Sequence, residues 1–91
     1  MVKNADNIEF FRIIIRMYFK DTERHHTPHF HAKYAGSEAS FDLDGNIIAG
    51  DFPDKQKKYV VAWADIHRDE LAALWEIMQT EEEYYRIKGL E

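Results

Sequence analysis

The first half of the chain alternates between apolar and polar residues, which is the pattern of β-strands. Side chains two positions apart lie on one face of a strand, so each alternating segment has one apolar face. The pattern covers residues 11–20, 29–35, 38–43 and 46–49. Asp44-Gly45, between the last two segments, is typical of a two-residue type I′ hairpin turn. We therefore expect four antiparallel strands in this half.

After Pro53 the apolar residues recur at spacings of three and four, which is the period of a helix. They are Val60, Ala64, His67, Leu71, Leu74 and Met78. A straight helix over residues 54–80 would be about 40 Å long, whereas a domain of this size is about 30 Å across. The chain must therefore break near residues 67–69, or overhang and be covered by a second copy. On the second alternative we predict a homodimer.

The elements together predict a single α+β domain. We expect a mainly antiparallel sheet of four to five strands, with one long, straight or kinked helix near the carboxyl end on its apolar face. Residues 84–90 are a candidate for the fifth strand. The domain is expected over residues 8–91, with residues 1–7 as a frayed terminus. A chain of 91 residues has no material for a second core.

Composition narrows the class of protein. A hydrophobic content of 45%, with 14% aromatic residues, excludes a disordered segment. The absence of cysteine excludes a disulfide framework, a thiolate metal site and a cysteine nucleophile. No stretch reads as a signal peptide or a membrane span, so we expect a cytoplasmic protein without a membrane partner.

Charge is distributed unevenly along the chain. The net charge of −5 disfavours an indiscriminate nucleic-acid binder. Residues 10–34, however, hold five Lys and Arg side chains against two acidic ones, which makes this segment locally basic by three charges (5 − 2). A basic surface in the amino-terminal half is therefore compatible with an acidic protein.

Four of the five histidines fall between positions 25 and 31, at His25, His26, His29 and His31. In a strand, His29 and His31 point to one face and Phe30 to the other. The predicted polar face then holds Arg12, Arg16, Tyr18, His29, His31, Lys33, Ser40 and Asp42. Arginine and serine are ordinary on the solvated face of an antiparallel sheet. Two neighbouring imidazoles are less ordinary, because their pKa suits proton transfer or metal binding.

Three segments of the chain resemble the small bacterial family called domain of unknown function 4160. They are residues 14–19 (Ile-Ile-Arg-Met-Tyr-Phe), residues 28–34 (Pro-His-Phe-His-Ala-Lys-Tyr), and Trp63 with residues 66–71 (Ile-His-Arg-Asp-Glu-Leu) and Trp75. The likeness spans residues 11–88. Thr27 stands where the family commonly has a second proline, and His25-His26 doubles its single loop histidine. The resemblance implies a small partner protein of unknown function and a place in a toxin–antitoxin pair, through gene neighbourhood.

One functional hypothesis is a metal-independent ribonuclease without a cofactor. RNA cleavage needs a general base, a general acid and cations that stabilise the developing phosphate charge. His29 and His31 would act as the base and the acid, and Arg16 would stabilise the charge with Lys33. Tyr18 would orient the phosphate. Arg12 would extend the RNA-binding surface together with Lys33.

Two other hypotheses use the same residues. A metal site would combine His29 and His31 with His26 or His25, a three-imidazole set of the kind that binds zinc or nickel. We expect no intrinsic metal. A non-enzymatic binding module would instead dock a protein on the polar face or the helix, with the histidines in a hydrogen-bonded network. His67 lies on the apolar helix stripe, so we expect it to be half-buried and bonded to a carbonyl group.

Overall fold

The computed structural model describes residues 8–17 and 27–80, with side chains up to residue 77. The strands are β1 (Ile8–Phe10), β2 (Ile13–Arg16), β3 (His29–Tyr34), β4 (Ser37–Asp42) and β5 (Ile47–Gly50). The helices are α1 (Asp54–Ile66) and α2 (Arg68–Thr80). All strand pairs are antiparallel and the strands lie in chain order, β1-β2-β3-β4-β5. The predicted α+β class is confirmed.

One face of the sheet forms the core with the two helices. Ile8, Ile15, Ala32 and Ala39 are paired in register across four strands and are all buried. Helix α1 contributes Trp63 and α2 contributes Leu71, Leu74 and Trp75 to the same cluster. Phe30 is fully buried on this face, stacked on Phe41 at a ring separation of 5.6 Å. The expectation that Phe30 points inward is therefore confirmed.

The predicted single helix is two helices that meet at His67. This residue ends α1 with φ −106° and ψ 23°, and α2 begins at the next position. Two hydrogen bonds continue across the junction, from the His67 N–H to the Trp63 carbonyl and from the Leu71 N–H to the His67 carbonyl. With this break, the described residues have a longest dimension of 34 Å. The break also removes the overhang from which we predicted a homodimer.

The start of the first predicted strand is wrong. Phe11 and Arg12 have φ values of 50° and 65° and form a two-residue turn, with Phe10 paired to Ile13. Positive φ at both central positions is what a type I′ turn requires. An additional strand, β1, precedes the turn. Phe11 is 42% exposed, not in the core. Alternation alone could not reveal this turn, because neither residue is one that type I′ turns favour.

The β4–β5 connection also differs from the predicted type I′ turn. The N–H of Gly45 donates to the Asp42 carbonyl and the N–H of Asp42 donates to the Asn46 carbonyl, which encloses a three-residue loop. Only Gly45, at φ 89°, has positive φ here. The Asp42 carboxylate fixes the loop by accepting bonds from Asp44 N at 2.9 Å, Asn46 N at 2.9 Å and Asn46 Nδ2 at 3.1 Å.

Two further expectations concern other parts of the chain. The candidate strand at residues 84–90 lies outside the described residues. Within residues 8–17 and 27–80, neither helix is long and apolar enough to cross a membrane.

Arg12→Gly tests the strained turn. Glycine adopts positive φ without the steric cost that arginine pays, so we expect the free energy of unfolding to rise by about 0.5 to 1 kcal/mol. The control is Arg12→Ala, which keeps a Cβ atom and should gain nothing. Urea denaturation gives both values, and equal stability of the two variants would contradict the assigned turn.

Asp42→Asn tests the loop. Burial raises the pKa of Asp42, but the hydrogen bonds from Asn46, Asp44 and Gly45 outweigh it, so the pKa lies below its ordinary value of 3.8. The ionised form therefore stabilises the folded state above that pH, and this stabilisation is lost as the pH falls through the lower folded pKa. We expect Asp42→Asn to lower the melting temperature at pH 7. A difference from the wild type that stayed constant down to pH 2 would refute this account.

Candidate functional site

A row of polar side chains crosses the outer face of the sheet, opposite the helices. Arg16 on β2 pairs with His31 on β3, and His31 pairs with Ser40 on β4. Two residues further along β3, and on the same face, Lys33 pairs with Glu38 of β4. We call Arg16, His31, Ser40 and Lys33 the outer-face row. The register therefore brings three predicted polar-face cations or imidazoles to neighbouring positions.

His31 is the half-buried imidazole of this row. Its Nδ1 and the Ser40 hydroxyl share a hydrogen bond of 3.2 Å, and Ser40 is only 8% exposed. A serine hydroxyl can donate or accept, so it can satisfy either tautomer of the ring. The bond fixes the orientation of the imidazole while part of it stays accessible to solvent.

His29 does not lie on a solvated face, contrary to the sequence expectation. It is 1% exposed, and its ring lies 5.1 Å from Trp75 of α2 and 5.3 Å from His31. Helix α2 reaches the start of β3, where its Trp75 packs against the imidazole. A pleated strand sets the direction of a side chain, but the helix decided whether water reaches it.

The tautomer of His29 follows from its hydrogen bond. Nδ1 lies 2.8 Å from the Thr27 carbonyl oxygen. A carbonyl only accepts, so Nδ1 carries the proton and donates it, and in the neutral ring the lone pair is on Nε2. The carbonyl of Thr27, rather than its side chain, holds the histidine.

The other predicted site residues are not all in the row. Arg12 is in the β1–β2 turn, two positions before Ile14, which pairs with Lys33. The joint RNA-binding role of Arg12 and Lys33 stays a prediction. Tyr18, His25 and His26 lie outside the described residues. Asp42 pairs with His29 in register, but its carboxylate is engaged by the β4–β5 loop.

No metal centre is assembled by the part of the chain that the structure describes. Within it, no three His, Asp or Glu side chains are grouped closely enough to hold an ion. His29 and His31 alone supply two imidazoles, and the third member of the alternative set, His26, is outside that part. His67 does not join them. Its Nδ1 donates to Glu70 Oε1 at 2.7 Å, a carboxylate rather than the expected carbonyl.

The outer-face row is a surface, not a pocket. The small cleft beside Arg16, His31 and Lys33 has a volume of about 10 Å³. That volume holds one water molecule at most, whereas sites for small organic ligands measure about 300 to 1,000 Å³. The geometry therefore suits contact with another surface more than enclosure of a substrate.

Sequence reasoning missed Trp75 as a site residue. Its spacing on the helix identified it only as a core residue, and it is indeed buried. No local signal links position 75 to position 29. The contact arises because α2 is redirected at His67, which only the tertiary structure shows.

Fold and site define a class of small α+β domain. In residues 8–17 and 27–80, a five-stranded antiparallel meander carries two helices on one face, and its central strand holds a His-x-His pair. The chain belongs to the family described as domain of unknown function (DUF4160), whose sequence profile matches residues 13–76. The resemblance proposed from the sequence is thereby confirmed. No curated protein and no solved structure matches the chain.

His29→Ala and His31→Ala should separate the two histidines. His29 is packed and bonded, so its removal should cost about 2 to 3 kcal/mol of unfolding free energy. His31 is half-exposed, so its removal should cost about 1 kcal/mol or less. Chemical denaturation of both variants gives the comparison. Equal costs would contradict the different burial of the two rings.

Proposed function

We propose that the chain is a non-enzymatic binding module of a two-gene system, which docks an acidic surface of a small partner protein on the outer-face row. The observation that carries the proposal is the burial of His29. An imidazole that is 1% exposed cannot contact an external substrate, so the His29–His31 pair is not a solvent-facing acid and base.

The row favours an anionic partner. Arg16 and His31 are half-exposed and Lys33 is exposed, on adjacent positions of two strands. Arginine and lysine at the edge of an interface attract carboxylates, and they contribute more to association rate and partner choice than to affinity. His31 adds a hydrogen-bonding group with a fixed orientation. These groups fit a cluster of Asp or Glu side chains on a folded protein.

The distribution of charge favours a protein over RNA as the partner. Lys33 is opposite Glu38, and Glu9 is exposed on the same face, so the outer face is of mixed sign. RNA binding needs several uncompensated cations along the phosphate backbone. The chain as a whole carries −5. A small acidic patch on a folded protein needs only a few cations opposite it and therefore meets these conditions better.

The ribonuclease of the sequence hypothesis is the second candidate. Arg16 and His31 are in register on neighbouring strands, which favours it, because one imidazole beside one guanidinium can act on a phosphate. It would need a second acid–base group other than His29. A toxin–antitoxin pair is compatible with both candidates. The cytoplasmic location and the bacterial origin stay predictions.

The test measures binding of the small partner protein that the resemblance to the family implies. We expect Lys33→Glu and Arg16→Glu each to weaken binding about tenfold or more, because they place like charges opposite one another. Lys55→Glu is the matched control, since Lys55 is an exposed lysine on α1, away from the row. Isothermal titration calorimetry gives the affinities, and circular dichroism verifies that the variants are folded.

The same proteins are incubated with total RNA in parallel. The proposal requires intact RNA with the wild type. RNA cleavage that disappears in His31→Ala would overturn it in favour of the ribonuclease. Equal partner affinity for wild type and Lys33→Glu would overturn the assignment of the outer-face row.

A further inference from the structure

A second surface lies on the opposite side of the molecule, along α1. A groove of about 570 Å³ follows this helix and is lined by Asp54, Lys57, Lys58, Val61, Ala62 and Asp65. Asp44 of the β4–β5 loop forms one wall. The groove is much larger than the cleft beside the outer-face row, and none of its lining residues belongs to that row.

The floor of the groove is apolar and accessible. Val61 is 36% exposed and Ala62 is exposed next to it. Ile66, four positions beyond Ala62, is 65% exposed. The β4–β5 loop covers one side of Val61. Its Gly45 is so close that a Cβ atom added there would lie 3.2 Å from a Val61 methyl group. Val61, Ala62 and Ile66 together form an apolar strip along the helix.

The charges beside this strip are ordered along the helix. Lys57 and Lys58 follow Asp54 in the amino-terminal half of α1, and Asp65 lies in its last turn. An acidic residue in the last turn interacts unfavourably with the helix dipole, and a cation from another chain would offset this. A second copy of α1, running antiparallel, reverses the order. It would bring the Asp65 end of one helix to the Lys58 end of the other.

We propose that two copies of the chain associate through this groove, with their α1 helices antiparallel about a two-fold axis between Val61 and Ala62. Lys58 is three residues before Val61, and Asp65 is three residues after Ala62. The symmetry therefore places each Lys58 opposite the Asp65 of the second copy, twice per dimer. Val61 and Ala62 of both copies fill the centre. A self-complementary patch is what a two-fold interface requires.

This proposal is independent of the proposed partner-binding function and of the overhang argument. The proposed interface uses neither the outer-face row nor α2. A helix of 13 residues is about 20 Å long, so the contact belongs to the small class of interfaces, below about 1,200 Å². We therefore expect a reversible dimer whose population rises with concentration.

Sedimentation equilibrium of the full chain gives the test. The wild type should change from monomer to dimer between about 1 μM and 1 mM. Lys58→Glu and Asp65→Lys should each weaken the dimer about tenfold or more, because each places like charges opposite one another twice. Lys55→Glu is the control, since Lys55 is exposed but does not line the groove.

A mixture of the two variants is the decisive measurement. In a heterodimer of Lys58→Glu with Asp65→Lys, both cross-helix pairs have opposite charges, so the mixture should dimerise as well as the wild type. Loss of folding cannot mimic that rescue. A wild type that stays monomeric over the whole range, or a mixture no better than the single variants, would overturn the proposal.

Discussion

The arrangement of sheet and helices depends on the packing of the Trp63 side chain. Its ring is fully buried and lies 5.6 Å from each of Phe10, Phe30 and His67. Phe10 and Phe30 belong to strands β1 and β3, so one indole fixes α1 against both sides of β2. Aromatic side chains of this size contribute large buried areas and prefer edge or offset contacts, which restrict the helix to one position. The chain can then remain over the sheet only by changing direction soon after Trp63.

That change occurs at His67, one turn later. The residue is held from three directions: its N–H donates to the Trp63 carbonyl, its ring lies against Trp63, and its Nδ1 donates to Glu70. The last bond joins the end of α1 to the first turn of α2. Redirected in this way, α2 places Trp75 against His29 at the start of β3. His29 is packed in the core, and His31 is available to a partner. The two histidines are only two positions apart.

The two proposed surfaces differ in their physical basis. On the outer sheet face, orientation comes from strand register and from the Ser40 hydroxyl bonded to His31, and recognition comes from charge. On α1, an exposed apolar strip supplies area, and the charges beside it make the surface complementary to itself. Since the helices and the outer face are on opposite sides of the sheet, both surfaces can be occupied at once.

The sequence alone determined the α+β class and the inward direction of Phe30, because each follows from a periodicity. The length limit left a helix break near residues 67–69 as one of two alternatives. The sequence also identified the family, which the profile match over residues 13–76 confirmed. It could not reveal the turn at Phe11-Arg12, since nothing local favours positive φ there. Nor could it reveal that His29 is buried. The burial of His29 depends on its contact with Trp75, which lies 46 positions later in the chain. Only tertiary packing brings these two residues together.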